Sequence, residues 1–365
     1  MSYERDNIRR MAGYQWGEQP DDPDTIKLNT NENPYPPSPL VGRAMASLDP
    51  AALRVYPQPT AEPLRRRVAD LHDLEAQNII ITNGGDEGLR LAMTTFVDPG
   101  QTFAMAEPSY SLYPVLAQIQ DARLTKIPLQ PDWLPPEDFA ETLNAAGARL
   151  VCLVNPHAPS GTLMDVERIE HLAHEFNGVV LVDEAYVDFV DPHRGYNLMP
   201  LVRDLDNLLI LRTFSKGYSL AGLRLGYLAG ATALIEPMLW KTRDSYNIDA
   251  ISQALGLAAL EDQSWASDSW ERVREGRARL SSGLTQLGFP VTPSEANFLL
   301  VKVPNHCPLP AKRLQQHLKA RGILVRHFDS PTLSDKLRIT VGTDEQNQRL
   351  IDVLRETLGA ESDTP

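Results

Sequence analysis

The stretch "NLLILRTFSKGYSLAGLRLGY" (207–227) decides the fold class and contains the most informative lysine of the chain. Its first five residues, 207–211, are an apolar run that predicts a buried strand, and Lys216 follows just beyond the end of that strand. Arg224 stands at the start of the next apolar run. A desolvated lysine, or one placed near other cations, has a lowered pKa and a nucleophilic amine. Two interpretations are open: a surface loop with scattered basic residues, or a lysine that forms a Schiff base with a cofactor aldehyde.

Apolar runs of the same kind alternate with helical patterns from about residue 60 onwards. Continuous apolar strands separated by helices are typical of a mostly parallel sheet that helices cover on both faces. We therefore expect an α/β fold with a large domain at 41–248. The predicted strands lie within 78–84, 102–110, 124–129, 149–156, 179–186, 207–216 and 223–230.

The pattern changes after about residue 250. One long helical pattern covers 249–288, and short, half-polar segments then alternate with helices to the end of the chain. This arrangement predicts a smaller α+β C-terminal domain at 249–365. Residues 1–40 are polar and rich in proline, so we expect an extended arm that packs against the small domain.

Composition narrows the classes of partner. The chain has 365 residues and a net charge of −13, which argues against nucleic acid or an anionic membrane as the main partner. An anionic small molecule stays open, because a few arginines can invert the local field. The two cysteines are far apart, and neither has a metal-ligand spacing. With no apolar leader and no run of 18 apolar residues, we expect a reduced, cytoplasmic protein without a metal.

Polar residues follow consecutive predicted strands, at the edge where an open α/β sheet binds ligands. The segment Asn83–Glu87 is a glycine-containing turn into a helix, Asn155 and Asp183 each end an apolar run, and Lys216 follows a third. Taken singly, each has a structural explanation: a helix N-cap, a loop, or a strand-terminal acid in contact with water. Together they match pyridoxal 5′-phosphate, which needs an amine, an acid for its ring nitrogen, donors for its ring oxygen and an anion site. No dinucleotide or nucleoside-triphosphate motif competes with this interpretation.

Motifs along nearly the whole chain support it, from "LNTNENPYPPSP", "TNGGDEGLRL", "EPSYSLYPV", "NPHAPSGT" and "VDEAYVDF" to "SKGYSLAGLRLGY" and "LVRHF…LRITVGT". With these motifs the sequence resembles the fold-type-I pyridoxal-phosphate aminotransferases, and among them the histidinol-phosphate aminotransferases. The resemblance implies that Lys216, Asp183 and Tyr186 are the catalytic residues, with Lys216 as the Schiff-base lysine and proton shuttle. It implies that the cofactor is held by Gly85, Asp86, Tyr110, Asn155, Asp183, Tyr186, Ser215, Lys216, Arg224 and Tyr56.

In this resemblance Asp183 pairs with the ring nitrogen, Tyr186 and Asn155 bond the ring oxygen, and Tyr110 stacks on the ring. Tyr56 reaches the phosphate in a neighbouring subunit, which implies a homodimer with shared active sites, with the arm contacting the partner subunit as well as the small domain. The substrate residues implied are Tyr14, Asn155, Arg326 and Arg338. The chain departs from the usual "NPNNPTG" at His157 and Ala158, where the family has two asparagines, and this puts side-chain preference in question.

The predicted reaction is a ping-pong transamination between L-histidinol phosphate and 2-oxoglutarate, giving imidazole-acetol phosphate and L-glutamate. An aminotransferase for aromatic amino acids and a threonine-phosphate decarboxylase are the alternatives within this fold. A transcription regulator of the same fold would carry an N-terminal DNA-binding domain. We do not expect the roughly 40 polar residues before the first helix-strand unit to form one.

Overall fold

Two β-sheets form the framework of the protein, whose computed structural model describes residues 2–359. Residue 1 and residues 360–365, the ends of the predicted arm and small domain, lie outside the described residues. Seven strands form the larger sheet in the order β2-β8-β7-β6-β5-β3-β4, and four form the smaller one in the order β1-β10-β11-β9. The strands are β1 Ile26–Leu28, β2 Ile79–Thr82, β3 Thr102–Glu107, β4 Arg123–Pro128, β5 Ala148–Val154, β6 Val179–Asp183, β7 Leu208–Thr213, β8 Gly226–Gly230, β9 Phe298–Lys302, β10 Ile323–His327 and β11 Lys336–Thr340.

The larger sheet is parallel except for β8, so the predicted α/β class is confirmed. β8 runs antiparallel to both neighbours because only residues 214–225, with a single short 3₁₀ turn, connect it to β7. A parallel crossover usually runs through an α-helix, and this connection contains none. In β2, Ile79 and Ile81 pack into the hydrophobic core on one face of the sheet and Ile80 into the core on the other. Burial on both faces explains why these strands read as continuous apolar runs.

Helices cover both faces of the larger sheet and one face of the smaller one. They are α1 Asp6–Arg10, α2 Pro39–Ser47, α3 Glu62–Leu71, α4 Gly84–Phe96, α5 Leu112–Gln120, α6 Phe139–Ala145, α7 Val166–Glu175, α8 Thr232–Pro237, α9 Ala250–Leu260, α10 Gln263–Gln286, α11 Ala311–Ala320 and α12 Asp344–Gly359. The single helical pattern predicted over 249–288 is therefore two helices. Asp262 separates them, since its carboxylate accepts the backbone N–H of Trp265 at 3.3 Å and caps α10.

The N-terminal arm is built into both parts of the protein. β1 pairs in parallel with β10, with Ile26 opposite Ile323, so the arm supplies an edge strand to the smaller sheet. Arg5, just before α1, donates to the carbonyl of Ile119 in α5 at 2.9 Å and so contacts the larger part as well. The segment between these two contacts consequently crosses the mouth of the cleft between the sheets.

Two further observations concern residues 2–359. None of the helices described there combines the length and the apolar character that a membrane crossing requires. Within the same residues, no group of three or more His, Cys, Asp or Glu side chains is arranged to hold a metal ion. Cys152 is buried in β5 as a free thiol.

Candidate active site

A cavity of about 350 Å³ opens at the carboxyl edge of the larger sheet. β2, β6 and β7 all end at this edge, and β8 begins there, because Gly226 pairs with both Thr82 and Thr213. The arm and the strands β10 and β11 close the cavity from the other side. Of the predicted site residues, those that line the cavity are Tyr14, Gly85, Asp86, Tyr110, Asp183, Tyr186, Ser215, Lys216, Arg224, Arg326 and Arg338.

Lys216 lies in the loop after β7, with its amine inside the cavity. Its Nζ donates a hydrogen bond to the carbonyl of Thr30, in the arm, at 2.8 Å. Burial, partly offset by the carboxylate of Glu32, lowers the pKa of the Lys216 amine to about 8. The uncharged, nucleophilic form of this amine is therefore far more populated near neutral pH than in an ordinary lysine.

Asp183 ends β6 at the floor of the cavity and is only 5% exposed. Its two carboxylate oxygens accept the hydroxyl of Tyr113 at 3.0 Å and the backbone N–H of Ala185 at 3.1 Å. Burial raises the pKa of Asp183 to about 6, although both hydrogen bonds favour the carboxylate. A positive charge brought next to this carboxylate would remove the cost of its burial.

The other end of the cavity is suited to an anion. α4 begins there, and Arg224 reaches over its first turn, donating to the Ser215 hydroxyl at 3.2 Å and to the Asp86 carboxylate at 3.3 Å. Gly84 has φ +72°, and a Cβ at this position would lie 2.6 Å from the Arg224 guanidinium. Glycine therefore lets the helix N-terminus and the arginine approach each other.

Aromatic side chains form one wall. The ring of Tyr110 packs edge-on against Tyr14 of the arm at 5.9 Å and against Tyr113 at 5.6 Å. Burial, together with the carboxylate of Asp86, raises the pKa of Tyr110, so its hydroxyl stays protonated.

Tyr186 follows β6 and brings a phenolic hydroxyl into the cavity. Its oxygen accepts a hydrogen bond from the side-chain amide of Asn31 at 3.0 Å, and its ring packs edge-on against Phe298 of β9. Burial raises the pKa of Tyr186, so the hydroxyl is a neutral donor at physiological pH.

Two arginines lie side by side on the smaller sheet. Arg326 in β10 pairs directly with Arg338 in β11, and both guanidinium carbons lie 5.6 Å from the centroid of the Phe328 ring. Arg338 donates to the Asn29 carbonyl at 3.0 Å, whereas its buried Nε has no hydrogen-bond partner within residues 2–359. Two adjacent cations with an unused donor are chemically suited to a carboxylate or a phosphate group.

Asn155 and Tyr56 are the two predicted site residues that do not line the cavity. The amide of Asn155 is fully engaged: its Nδ2 donates to Met164 and to the Tyr196 hydroxyl, and its Oδ1 accepts from Met164. Tyr196 in turn donates to the buried carboxylate of Glu184 at 2.8 Å.

Tyr56 lies on the surface of the protein. Its ring is 79% exposed and stacks on Tyr246. The roles assigned to Asn155 and Tyr56 stay predictions.

The two departures from the family motif differ in position. Ala158 lines the cavity, while His157 is buried behind it. His157 donates from Nε2 to the carbonyl of Pro108 at 2.9 Å, and its Nδ1 lies 2.7 Å from the Ser160 hydroxyl. Burial lowers the pKa of His157 to about 4, so the ring is neutral and joins two loops at the cavity wall.

Sequence reasoning missed several residues that contact the predicted ones. Thr30 and Asn31 of the arm bond Lys216 and Tyr186, and Tyr113 bonds Asp183. Thr30 and Asn31 lie within the quoted motif "LNTNENPYPPSP", and Tyr113 lies within "EPSYSLYPV". Their contacts span 70 to 186 residues along the chain, so no local pattern indicates which partner each one has.

Comparisons with known proteins agree with this geometry. Residues 23–354 match the family described as aminotransferase class I and II. The chain is similar to histidinol-phosphate aminotransferase 1 of Nostoc sp., with 42% identity over 98% of each chain. It is also similar to the histidinol-phosphate aminotransferase of Citrifermentans bemidjiense, with 42% identity over 96% of this chain and 97% of the other. Among solved structures, the histidinol-phosphate aminotransferase of Sinorhizobium meliloti in complex with pyridoxal-5′-phosphate has a TM-score of 0.88, 23% identity and 99% coverage of both chains.

Proposed function

Because the chain belongs to the aminotransferase class I and II family, we propose that it is a pyridoxal 5′-phosphate-dependent enzyme that transfers an amino group from L-histidinol phosphate to 2-oxoglutarate. The products are imidazole-acetol phosphate and L-glutamate, and the reaction belongs to histidine biosynthesis. The observation that carries this proposal is the pair Arg326 and Arg338 facing a cavity that also contains the amine of Lys216. One cavity thus offers a reactive amine and a site for a substrate anion.

The side chains present fit the cofactor. Within residues 2–359 the buried carboxylate of Asp183 has no cationic partner, and a ring nitrogen that carries a proton would supply one. Gly85, Asp86, Ser215 and Arg224 would hold the phosphate at the start of α4. When bound, pyridoxal 5′-phosphate withdraws electrons from the α-carbon of the substrate and carries the amino group between the two half-reactions.

Lys216 would hold the cofactor through its aldehyde and, once released, would move the proton of the substrate α-carbon. A base for this task works best when its pKa lies near the working pH, and burial brings the pKa of Lys216 to about 8. The backbone carbonyl of Thr30 accepts a hydrogen bond from Nζ at 2.8 Å, which keeps the amine inside the cavity. Tyr186 would donate to the ring oxygen, and Tyr110 would cover the ring face.

Arg326 and Arg338 bind the anionic end of each substrate in turn. L-histidinol phosphate presents a phosphate there and 2-oxoglutarate a carboxylate, and the planar guanidinium group can donate paired hydrogen bonds to either anion. Tyr14, which contacts Tyr110 from the arm, would close over the bound substrate. Ala158 replaces a polar side chain of the family motif with a methyl group on the cavity wall.

We propose that the protein works as a homodimer in which Tyr56 contacts the cofactor phosphate of the partner subunit. Its exposed ring, stacked on Tyr246, is available for such a contact. Mixing the inactive variants Tyr56→Ala and Lys216→Ala tests this arrangement, because one site of each hybrid dimer then regains both residues. Recovery of activity on mixing and subunit exchange is expected, whereas additive residual activities would contradict shared sites.

The experiment that tests the reaction measures L-glutamate formed from 2-oxoglutarate and L-histidinol phosphate by the purified holoenzyme. L-Phenylalanine and threonine phosphate serve as parallel substrates, and Lys216→Ala is the control. Efficient glutamate formation from L-histidinol phosphate that is lost with Lys216→Ala is expected. Glutamate from phenylalanine alone, or carbon dioxide from threonine phosphate, would contradict the proposed substrate and favour one of the two alternatives.

A further inference from the structure

Asn31, which lies outside the predicted site, donates a hydrogen bond to the predicted site residue Tyr186. It is buried, and its backbone has φ +57°, a left-handed conformation that asparagine tolerates better than most residues. It joins three parts of the chain. Its N–H donates to the Thr340 hydroxyl, its carbonyl accepts from Asn297, and its side-chain amide donates to the Tyr186 hydroxyl.

The hydroxyl of Thr340 determines which way the Asn31 amide faces. Thr340 accepts the backbone N–H of Asn31 at 3.0 Å and donates its single proton to Asn31 Oδ1 at 3.1 Å. The Nδ2 group of Asn31 must then face Tyr186, where it donates at 3.0 Å. The Tyr186 oxygen is consequently an acceptor in this bond, and its own proton is left for a different partner.

That partner is not a protein group in the part of the chain the structure describes, where Tyr186 only accepts a hydrogen bond. Its hydroxyl borders the cavity. The charged or titratable side chains that act on it are Arg338 from β11, Asp183 from β6, and Tyr14 and Tyr110 from the aromatic wall. The bond from Asn31 favours the ionised phenol and so opposes the effect of burial on the pKa of Tyr186.

We propose that Asn31 is a positioning residue that directs the proton of Tyr186 into the cavity, towards the ring oxygen of bound pyridoxal 5′-phosphate. This inference rests on the proposed function, in which Tyr186 is the donor to that oxygen. A chain of three donors, from Thr340 through Asn31 to Tyr186, strengthens the last one, since each bond polarises the next. The arm therefore takes part in the electronic state of the cofactor as well as in covering the cavity.

The consequence is measurable as the pH midpoint at which the absorbance of the bound cofactor changes. A hydrogen-bond donor to the ring oxygen stabilises the deprotonated form of the bound cofactor. A weaker donor therefore raises the pH midpoint of the absorbance change. Asn31→Gly removes the amide and keeps the left-handed backbone, which glycine adopts readily. We expect this variant to raise the midpoint by about 0.5 to 1 pH unit, the range for losing one hydrogen bond that polarises a donor to a charged group.

A cycle with Tyr186→Phe separates this role from a structural one. If Asn31 acts through the Tyr186 hydroxyl, Asn31→Gly raises the midpoint in the wild-type background and leaves it unchanged in the Tyr186→Phe background. Asn31→Asp, which accepts the Tyr186 proton instead of donating, should raise the midpoint further than Asn29→Asp, a matched carboxylate in the same segment.

Equal shifts from Asn31→Gly in both backgrounds, or no shift in the wild-type background, would overturn the role of Asn31 and leave the proposed function standing. A Tyr186→Phe variant whose midpoint equals that of the wild type would overturn both, as would a protein with no cofactor absorbance that depends on Lys216.

Discussion

Replacing Asp183 by Asn should stabilise the cofactor-free protein at neutral pH while weakening its hold on the cofactor. Asp183 is 5% exposed, and burial raises its pKa from the ordinary 3.8 to about 6. The folded protein therefore binds this proton more tightly than the unfolded chain does. The cost of burying the carboxylate is absent below about pH 4, grows as the pH rises through about 6, and is complete above it.

The size of the effect follows from the two pKa values. At about 1.4 kcal/mol per pH unit, the difference corresponds to about 3 kcal/mol of stability lost by the wild type between pH 4 and pH 7. Asn keeps the shape of Asp183 and carries no charge. The lost hydrogen bond to Tyr113 or Ala185 adds a penalty of about 1 kcal/mol that does not depend on pH.

The assay is chemical unfolding of the cofactor-free wild type and of Asp183→Asn at a series of pH values, with Asp268→Asn on the exposed face of α10 as the matched control. The free energy of unfolding of Asp183→Asn minus that of the wild type should rise by about 3 kcal/mol from pH 4 to pH 7. The same difference for Asp268→Asn should stay flat. If the difference in the free energy of unfolding between Asp183→Asn and the wild type does not change with pH, the reasoning is refuted. Burial of the Asp183 carboxylate would then have no free-energy cost.

Three further predictions concern Lys216, Arg338 and Gly84. The rate at which pyridoxal 5′-phosphate is captured, followed by stopped-flow absorbance, should rise with pH, reach half of its maximum near pH 8, where half of the Lys216 amine has lost its proton, and level off at higher pH. A rate independent of pH would contradict the lowered pKa. Arg338→Gln should raise the KM for L-histidinol phosphate by about 10- to 100-fold, the value of one charged hydrogen bond, with a smaller change in kcat; an unchanged KM would place the substrate anion elsewhere. Gly84→Ala should weaken cofactor binding about 10-fold in an equilibrium titration, because its Cβ displaces Arg224 and strains the left-handed backbone, whereas Gly13→Ala, with open space at the Cβ, should not.

The strands of the larger sheet could be predicted because each one can be identified from its own short stretch of sequence. Strands such as β6 and β7, buried on both faces, must be apolar at every position, and a run such as 207–211 shows this without any knowledge of its neighbours. The carboxyl ends of parallel strands converge, so the polar residues that follow them were expected at one edge. Lys216 and Asp183 indeed border the same cavity.

The helix break at Asp262 and the individual hydrogen bonds of the arm were not predicted. Asp262 caps α10 through one hydrogen bond, and the surrounding helical pattern hides this short signal. Asn31 bonds Thr340 across 309 residues, and its backbone is left-handed. Such roles arise from tertiary packing, so the sequence around Asn31 indicates a loop and no more.

The ratio of kcat/KM for L-histidinol phosphate to kcat/KM for unphosphorylated L-histidinol tests the central claim most directly. If Arg326 and Arg338 bind the phosphate while Lys216 acts on the α-carbon, the phosphorylated substrate should be preferred by at least about 100-fold, and Arg338→Gln should reduce that preference by at least about 10-fold. Equal kcat/KM values for the two substrates in the wild type would show that the arginine pair does not bind the phosphate, and would contradict the proposed function.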